Sequence, residues 1–179
     1  MLGNGNSVNK LPQDLTGYYT IGVNCIGAKL SPDILLIVDN MKGFTQEQLA
    51  IIKNTKAGYY FVREGMGWEF DRKKTIYWEC GRLGEFDNLN LKNNKIDIGF
   101  DSPYIAILLA YKLGFRQIDI IGVDFTADHF YKKDGIHKIN KRLNKILTFY
   151  DRLYTHLTFH GAIIHNLSIE SRIKCIPIK

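Results

Sequence analysis

The segment that decides the fold is SPYIAILLAYKLGFRQIDIIGVDF, residues 102–125. Its first half favours a helix over residues 103–113, with Ser102 at the N-cap, a proline in the first turn and Gly114 just past the end. The helix is apolar on nearly all sides, which predicts that it is buried. The second half, residues 118–123, is typical of a parallel strand covered on both faces. A buried helix followed by a buried strand indicates an α/β fold.

The rest of the chain repeats this alternation. Further β-rich runs occur at residues 18–23, 34–38, 59–62, 75–78 and 162–165. Helices are predicted over residues 46–53, with Thr45 as the cap, and along the face formed by Ile139, Leu143, Ile146, Tyr150, Leu153 and Leu157. Residues 64–94 favour loops with an antiparallel excursion. The prediction is one Rossmann-like domain over residues 1–179, a mostly parallel sheet with helices on both faces.

Length and composition agree with one globular domain. The chain has 179 residues, 45% of them hydrophobic and 23% charged. Without a long apolar run or an apolar N-terminus, the sequence predicts neither a membrane span nor a signal peptide, and therefore a cytoplasmic protein. Cys25, Cys80 and Cys175 lack the spacing of metal ligands, so we expect reduced structural thiols.

The charge is basic and unevenly distributed. Lys and Arg outnumber Asp and Glu by 24 to 18. The excess gathers in residues 172–179 and at Lys132, Lys133, Lys138, Lys141, Arg142 and Lys145. Such a patch fits an anionic ligand, an anionic membrane surface or nucleic acid, and it also fits a solvated helix face. No RNA-binding strand, zinc finger or helix-turn-helix pattern accompanies it, so direct readout of nucleic acid is not favoured.

Polar residues follow several of the predicted strands. In an open parallel sheet, ligands bind beyond the carboxyl ends of the strands. The candidate nucleotide-binding residues in such positions are Gly3, Asn4, Gly5, Ser7, Asn24, Asp39, Asn40, Ser102 and Asp124. Neutral Asn and Ser side chains suit a base and a ribose without repelling phosphates. The glycine loop lacks the third glycine and the lysine of the usual phosphate-binding motifs, so by itself it also fits a plain turn.

The order of several short motifs resembles a known family. These motifs are GNGNS at residues 3–7, IGVN at 21–24, YKLGF at 111–115 and IGVDF at 121–125. The series resembles the bacterial sialyltransferases that use CMP-sialic acid, together with the related motility accessory factor proteins and phage or capsule-locus relatives. The resemblance implies a Rossmann-like glycosyltransferase that moves a sugar from a nucleotide donor to a hydroxyl acceptor, with no cofactor other than that donor. It also implies possible homo-oligomers.

The resemblance assigns roles to individual residues. It implies that Asn4, Asn24 and Asn40 contact the cytidine nucleotide and that Ser102 lies near its ribose or phosphates. Tyr131 resembles a tyrosine that steadies the leaving phosphate.

A histidine is the implied general base. His137 resembles the histidine that takes the proton of the acceptor hydroxyl, and His129 competes for that role. No D-x-D motif is present, which fits transfer without a metal.

Some features depart from the family pattern. Asn6 and Pro103 stand where the family has proline and glycine, and only Met1 and Leu2 precede the glycine loop, so the first strand is expected to be almost absent. The segment between Asp124 and the long helix is also short for a lid. Two alternatives therefore stay open.

The first alternative is a noncatalytic nucleotide-binding protein on the same fold. The second is an enzyme of the pterin pyrophosphokinase type, a group with distant similarity, in which Asp39 and Asp124 would hold Mg²⁺.

Overall fold

A computed structural model describes residues 1–126, 128–133 and 141–179. The strands are β1 (Ile21–Val23), β2 (Ile34–Ile37), β3 (Tyr59–Arg63), β4 (Thr75–Leu83), β5 (Lys95–Ile98), β6 (Gln117–Ile120), β7 (Asp128–His129), β8 (Lys132–Lys133) and β9 (Ile163–Asn166). The α-helices are α1 (Gln46–Asn54), α2 (Ser102–Lys112) and α3 (Leu143–Phe159), and short 3₁₀ helices span Asn6–Lys10, Asn24–Ala28 and Met41–Gly43. The predicted α/β class is confirmed.

Two parallel sheets meet at the N-terminus. Strands β1 to β5 lie side by side in chain order, and β6 pairs with β9. Between β1 and β6, Leu2 donates its N–H to Ile21 O at 2.8 Å and accepts from Val23 N–H at 3.2 Å, while Gly3 donates to Ile121 O at 2.8 Å. Leu2 therefore bridges both neighbours in parallel. Leu2 thus takes the place of the first strand of the expected sheet, which was predicted to be almost absent.

Residues 64–94 are more regular than predicted. β4 continues to Leu83 and pairs in parallel with β3 and β5, so the expected antiparallel excursion is wrong. The glycine that obscured the strand pattern is required by packing, because a Cβ at Gly81 would lie 2.2 Å from Asp97 Oδ1. The buried Asp97 carboxylate accepts the N–H groups of Arg82 and Asn88 and so orders the loop that follows β4.

The helix ends follow the predicted capping rules, with one correction. Thr45 and Gln48 form a reciprocal capping box at the start of α1. In α2 the N-cap is Asp101 and not Ser102, because Asp101 Oδ1 accepts the N–H of Tyr104 at 2.9 Å. A carboxylate is an effective cap and also complements the helix dipole.

The helices cover both faces of the sheet, as predicted. Side chains of β2 alternate between two cores, with Leu36 in the core beneath α2 and α3 and Leu35 in the core beneath α1. All residues of α2 except Pro103 are buried. The predicted apolar face of α3 is buried from Leu143 onward, whereas Ile139 lies outside the described residues. No helix in the described ranges is both long and apolar enough to span a membrane.

The strand at the start of the chain is shorter than predicted. β1 begins at Ile21, and Tyr18 and Tyr19 before it are exposed.

The three cysteines are free, and burial raises the pKa of Cys25 to about 11, which makes its thiol a poor nucleophile.

Candidate functional site

A cleft of about 620 Å³ opens at the carboxyl ends of the parallel strands. Its volume lies within the usual range for small-molecule sites. It spans the place where the chain order of the strands reverses, between β1 and β6, which is where ligands bind in folds of this class. Predicted site residues that line the cleft are Asn4, Gly5, Asn24, Asp39, Asn40, Ser102, Asp124, His129 and Tyr131.

Two of the predicted nucleotide contacts, Gly3 and Ser7, are not among the described residues that line the cleft. They lie behind its wall. A Cβ at Gly3 would stand 2.2 Å from Gly122 O, so the glycine allows two backbone segments to touch. Ser7 is buried and accepts the N–H of Gly122 at 2.9 Å. Both residues therefore hold the glycine loop against the segment after β6.

The Asp124 carboxylate forms its hydrogen bonds within the same wall of the cleft. It accepts the Ser7 N–H at 2.7 Å, the Ser7 hydroxyl at 2.5 Å and the Ser168 hydroxyl. Ser171 donates to Val123 O at 2.7 Å, and both Ser168 and Ser171 are fully buried. Ser168 and Ser171, which follow β9, thus stabilise the wall of the cleft from the side that faces away from it. Because three hydrogen bonds already use the Asp124 oxygens, the Asp39 and Asp124 pair is a poor ligand set for Mg²⁺.

A chain of polar side chains links two strand ends to the start of a helix inside the cleft. Asn24 has φ +47°, a left-handed conformation that asparagine tolerates better than most residues. Its Nδ2 lies 3.5 Å from Ser102 Oγ, and Ser102 Oγ donates to Asp39 Oδ2 at 3.3 Å. These contacts join the ends of β1 and β2 to the first residue of α2.

Three oxygens of cleft residues lack hydrogen-bond partners. They are Asn4 Oδ1, Asn24 Oδ1 and Asp101 Oδ2, which are buried and unpaired within the described part of the chain. A buried acceptor without a donor costs free energy. All three side chains belong to the lining of the cleft.

Asp101 lines the cleft but was not predicted as a site residue. Burial raises its pKa to about 6, the N–H of Tyr104 and the hydroxyl of Tyr150 counter this by hydrogen bonding, and the nearby Asp39 charge adds to the increase. Asp101 directly precedes Ser102, to which the sequence analysis assigned the helix cap, so no role was predicted for Asp101.

Arg63 and Gln48 are two more cleft residues that sequence reasoning missed. Arg63 directly follows the predicted strand at residues 59–62, so the rule that found Asn24 would have found it too. Gln48 donates from Nε2 to the Tyr131 hydroxyl at 3.1 Å, a contact between distant segments that has no sequence signal.

The segment around β7 covers one side of the cleft. Phe130 donates its N–H to Asn4 O at 3.0 Å, which ties this segment to the glycine loop. The rings of His129 and Tyr131 stack with centroids 5.3 Å apart. His137, the predicted general base, lies outside the described residues. Within the described ranges, no group of three or more His, Cys, Asp or Glu side chains could hold a metal ion.

Comparisons with known proteins give one informative result. No protein-family model and no curated protein matches the sequence. A structural match covers 99% of this chain and 84% of the crystallised chain, with a TM-score of 0.57 and 13% sequence identity. The matched structure is the sialyltransferase CST-II in complex with a trisaccharide acceptor and CMP. The two proteins are distantly related in fold, and at this identity the similarity shows the fold alone.

Proposed function

We propose that this protein binds a CMP-linked nucleotide sugar and transfers the sugar to a hydroxyl acceptor without a metal. The observation that carries the proposal is the convergence of Asn4, Asn24, Asn40 and Ser102 from separate strand ends on one cleft of about 620 Å³. The fold shared with a sialyltransferase that was crystallised with CMP supports it.

The charges of the cleft suggest how the donor lies in it. Asp39 and Asp101 repel phosphate but accept hydrogen bonds from sugar hydroxyls, so the ribose belongs beside them. The unpaired amide oxygens of Asn4 and Asn24 are acceptors, so they suit the N–H and O–H groups of the base and the ribose. Arg63 is a cation on the cleft wall that can offset phosphate charge.

The transfer step balances without a cofactor. The acceptor oxygen forms a bond to the anomeric carbon, while the bond from that carbon to the phosphate oxygen of CMP breaks and leaves its electron pair on CMP. The proton of the acceptor hydroxyl passes to a histidine, His137 or His129. In this proposal the Tyr131 hydroxyl, which lines the cleft, stabilises the departing phosphate, as a neutral donor can do in a partly buried site.

The test is a thermal-shift screen followed by a turnover assay. CMP, UDP, GDP, ATP, UDP-sugars and CMP-sialic acid are each added with Mg²⁺ and with EDTA. A ligand that binds only the folded state raises Tm. We expect CMP and CMP-sialic acid to raise Tm equally under both conditions, and CMP to be released slowly from CMP-sialic acid.

Other outcomes identify the alternatives. Stabilisation by CMP without any turnover of donors identifies a noncatalytic nucleotide-binding protein. Stabilisation by ATP only with Mg²⁺ favours diphosphate transfer. If no nucleotide changes Tm, the proposal is wrong.

A further inference from the structure

A second pocket, of about 390 Å³, lies at the start of α3. It is lined by Lys141, Arg142, Leu143, Asn144, Lys145 and Arg172, which we call the basic pocket. Four of these six side chains are cations, and none of the four forms an ion pair with a carboxylate of the described chain. Like charges held together without counter-charges attract an anion.

The helix adds to this positive field. Arg142 occupies the N-cap position of α3 without a side-chain hydrogen bond to the helix, and the first turn contains no acidic residue. The partial positive charge of the helix N-terminus is therefore not offset by an acidic side chain of its own first turn. Arg172 reaches the same pocket from the segment after β9, so two distant parts of the chain contribute cations.

The basic pocket adjoins the cleft on two sides. Lys145 Nζ lies 5.0 Å from the ring centroid of Phe100, and Phe100 lines the cleft. Arg172 donates its backbone N–H at 3.1 Å to the carbonyl oxygen of Asp124, another cleft residue. The basic pocket and the cleft are therefore neighbours in the fold.

We propose that the basic pocket binds an anionic group, a phosphate or a carboxylate, carried by the sugar acceptor. The inference rests on the proposed function, because it assigns the cleft to the nucleotide donor and leaves the adjoining pocket to the acceptor. The four cations of the basic pocket supply the positive charge that an anionic acceptor group requires, whereas Asp39 and Asp101 in the cleft would repel it. The fork of an Arg guanidinium suits phosphate and carboxylate oxygens.

The pocket fits a small acceptor better than a polymer or a membrane. Its four cations line a volume of about 390 Å³ near the cleft. Nucleic acid and lipid surfaces are bound by extended basic surfaces with many contacts.

The experiment compares charged and uncharged probes of the same shape. Binding of galactose 6-phosphate and galactose, and of sialyllactose and lactose, is measured by ligand-observed NMR on the full chain saturated with CMP. The variant Lys141→Gln/Arg142→Gln removes two pocket charges. The control Arg72→Gln/Lys73→Gln removes one Arg and one Lys from an exposed turn elsewhere. CMP affinity is measured separately for all proteins.

We expect a charged probe to bind at least about fivefold more tightly than its uncharged match, with the difference lost in the pocket variant and kept in the control. The phosphate and carboxylate pairs show which anion is preferred. Equal binding of charged and uncharged probes overturns the inference, as does equal loss in both variants. So does pocket-dependent binding of a random oligonucleotide or of anionic vesicles without a preference for charged sugars. If the unmodified protein does not bind CMP, the result contradicts the proposed function instead, whichever probes bind to the basic pocket.

Discussion

The Tyr150 hydroxyl donates to Asp101 Oδ1 at 2.7 Å, the same oxygen that caps α2. This contact ties the middle of α3 to the first turn of α2 beside the cleft. Burial raises the pKa of Tyr150 well above its usual value, so the phenol remains a donor across the physiological range. Burial also raises the pKa of Asp101 from 3.8 to about 6.

The raised pKa of Asp101 predicts a pH-dependent stability. A carboxyl with a higher pKa in the folded chain binds its proton more tightly when folded, so its contribution to stability is present below the unfolded pKa and is lost as the pH rises through about 6. Asp101→Asn keeps a capping oxygen but cannot ionise. Relative to the unmodified protein, we expect it to gain about 2 kcal/mol of stability between about pH 4.5 and about pH 7.5.

Urea unfolding of both proteins at the two pH values measures this change. The double difference cancels the titration of all other groups. A gap between the two proteins that does not vary with pH would show that Asp101 has an ordinary pKa in the folded chain.

Gly3 is predicted to be required for folding. An added methyl group would stand 2.2 Å from Gly122 O and 3.1 Å from Val123 Cγ2, and neither can yield easily because both belong to the packed wall. We expect Gly3→Ala to cost at least about 3 kcal/mol of unfolding free energy. Gly43→Ala is the control, because nothing lies within 4 Å of its added Cβ. Similar losses in both variants, measured by urea unfolding, would refute the close approach.

Ser7 is predicted to stabilise the fold through its hydroxyl. Ser7→Ala removes a donor to Asp124 and the acceptor for Gly122 N–H, both of them buried. We expect a loss of about 2 to 4 kcal/mol. The exposed Ser31 provides a matched control, and Ser31→Ala should change stability by less than about 0.5 kcal/mol. If Ser7→Ala unfolds at the same urea concentration as Ser31→Ala, the hydrogen-bond network does not contribute as described.

Periodicity and capping were enough to predict the main elements. The buried helix α2, the apolar face of α3 and the Thr45 cap follow from side-chain spacing and local hydrogen bonding, which are properties of short segments. The rule that ligands bind beyond the carboxyl ends of the strands also predicted that Asn24, Asp39 and Ser102 belong to one site, because parallel strands end at the same edge of a sheet.

Features that depend on contacts between distant segments could not be predicted. Leu2 joins the two sheets by backbone hydrogen bonds that any residue could form, so its side chain gives no signal. Gly81 interrupted the apolar pattern of β4 in the sequence. A glycine stands there because a side chain would collide with Asp97 of the neighbouring strand, a contact that the sequence does not show. The sequence also does not show that Ser7 and Asp124, two predicted ligand contacts, form a hydrogen bond with each other.

Asn24 is predicted to bind the nucleotide. Asn24→Gly removes the amide and keeps the backbone, since φ +47° is open to glycine. We expect Kd for CMP to rise about tenfold, as for loss of one hydrogen bond to the ligand, with little change in Tm. Asn54→Gly, at the exposed end of α1, is the control and should leave both values unchanged. Unaltered CMP affinity in Asn24→Gly, measured by calorimetry, would remove Asn24 from the site.

The two candidate bases can be separated by turnover. Hydrolysis of CMP-sialic acid, with water as the acceptor, requires the same proton transfer as the proposed reaction. We expect His137→Ala to reduce CMP release by at least about 100-fold and to leave Kd for CMP within about twofold, because a base acts on the acceptor and not on the nucleotide. His129→Ala is the matched comparison. Since His129 stacks on Tyr131, its loss should disturb the leaving phosphate more than the proton transfer and should lower the rate less. If hydrolysis survives His137→Ala and is abolished by His129→Ala, the base is His129. If it survives both, neither histidine takes the proton.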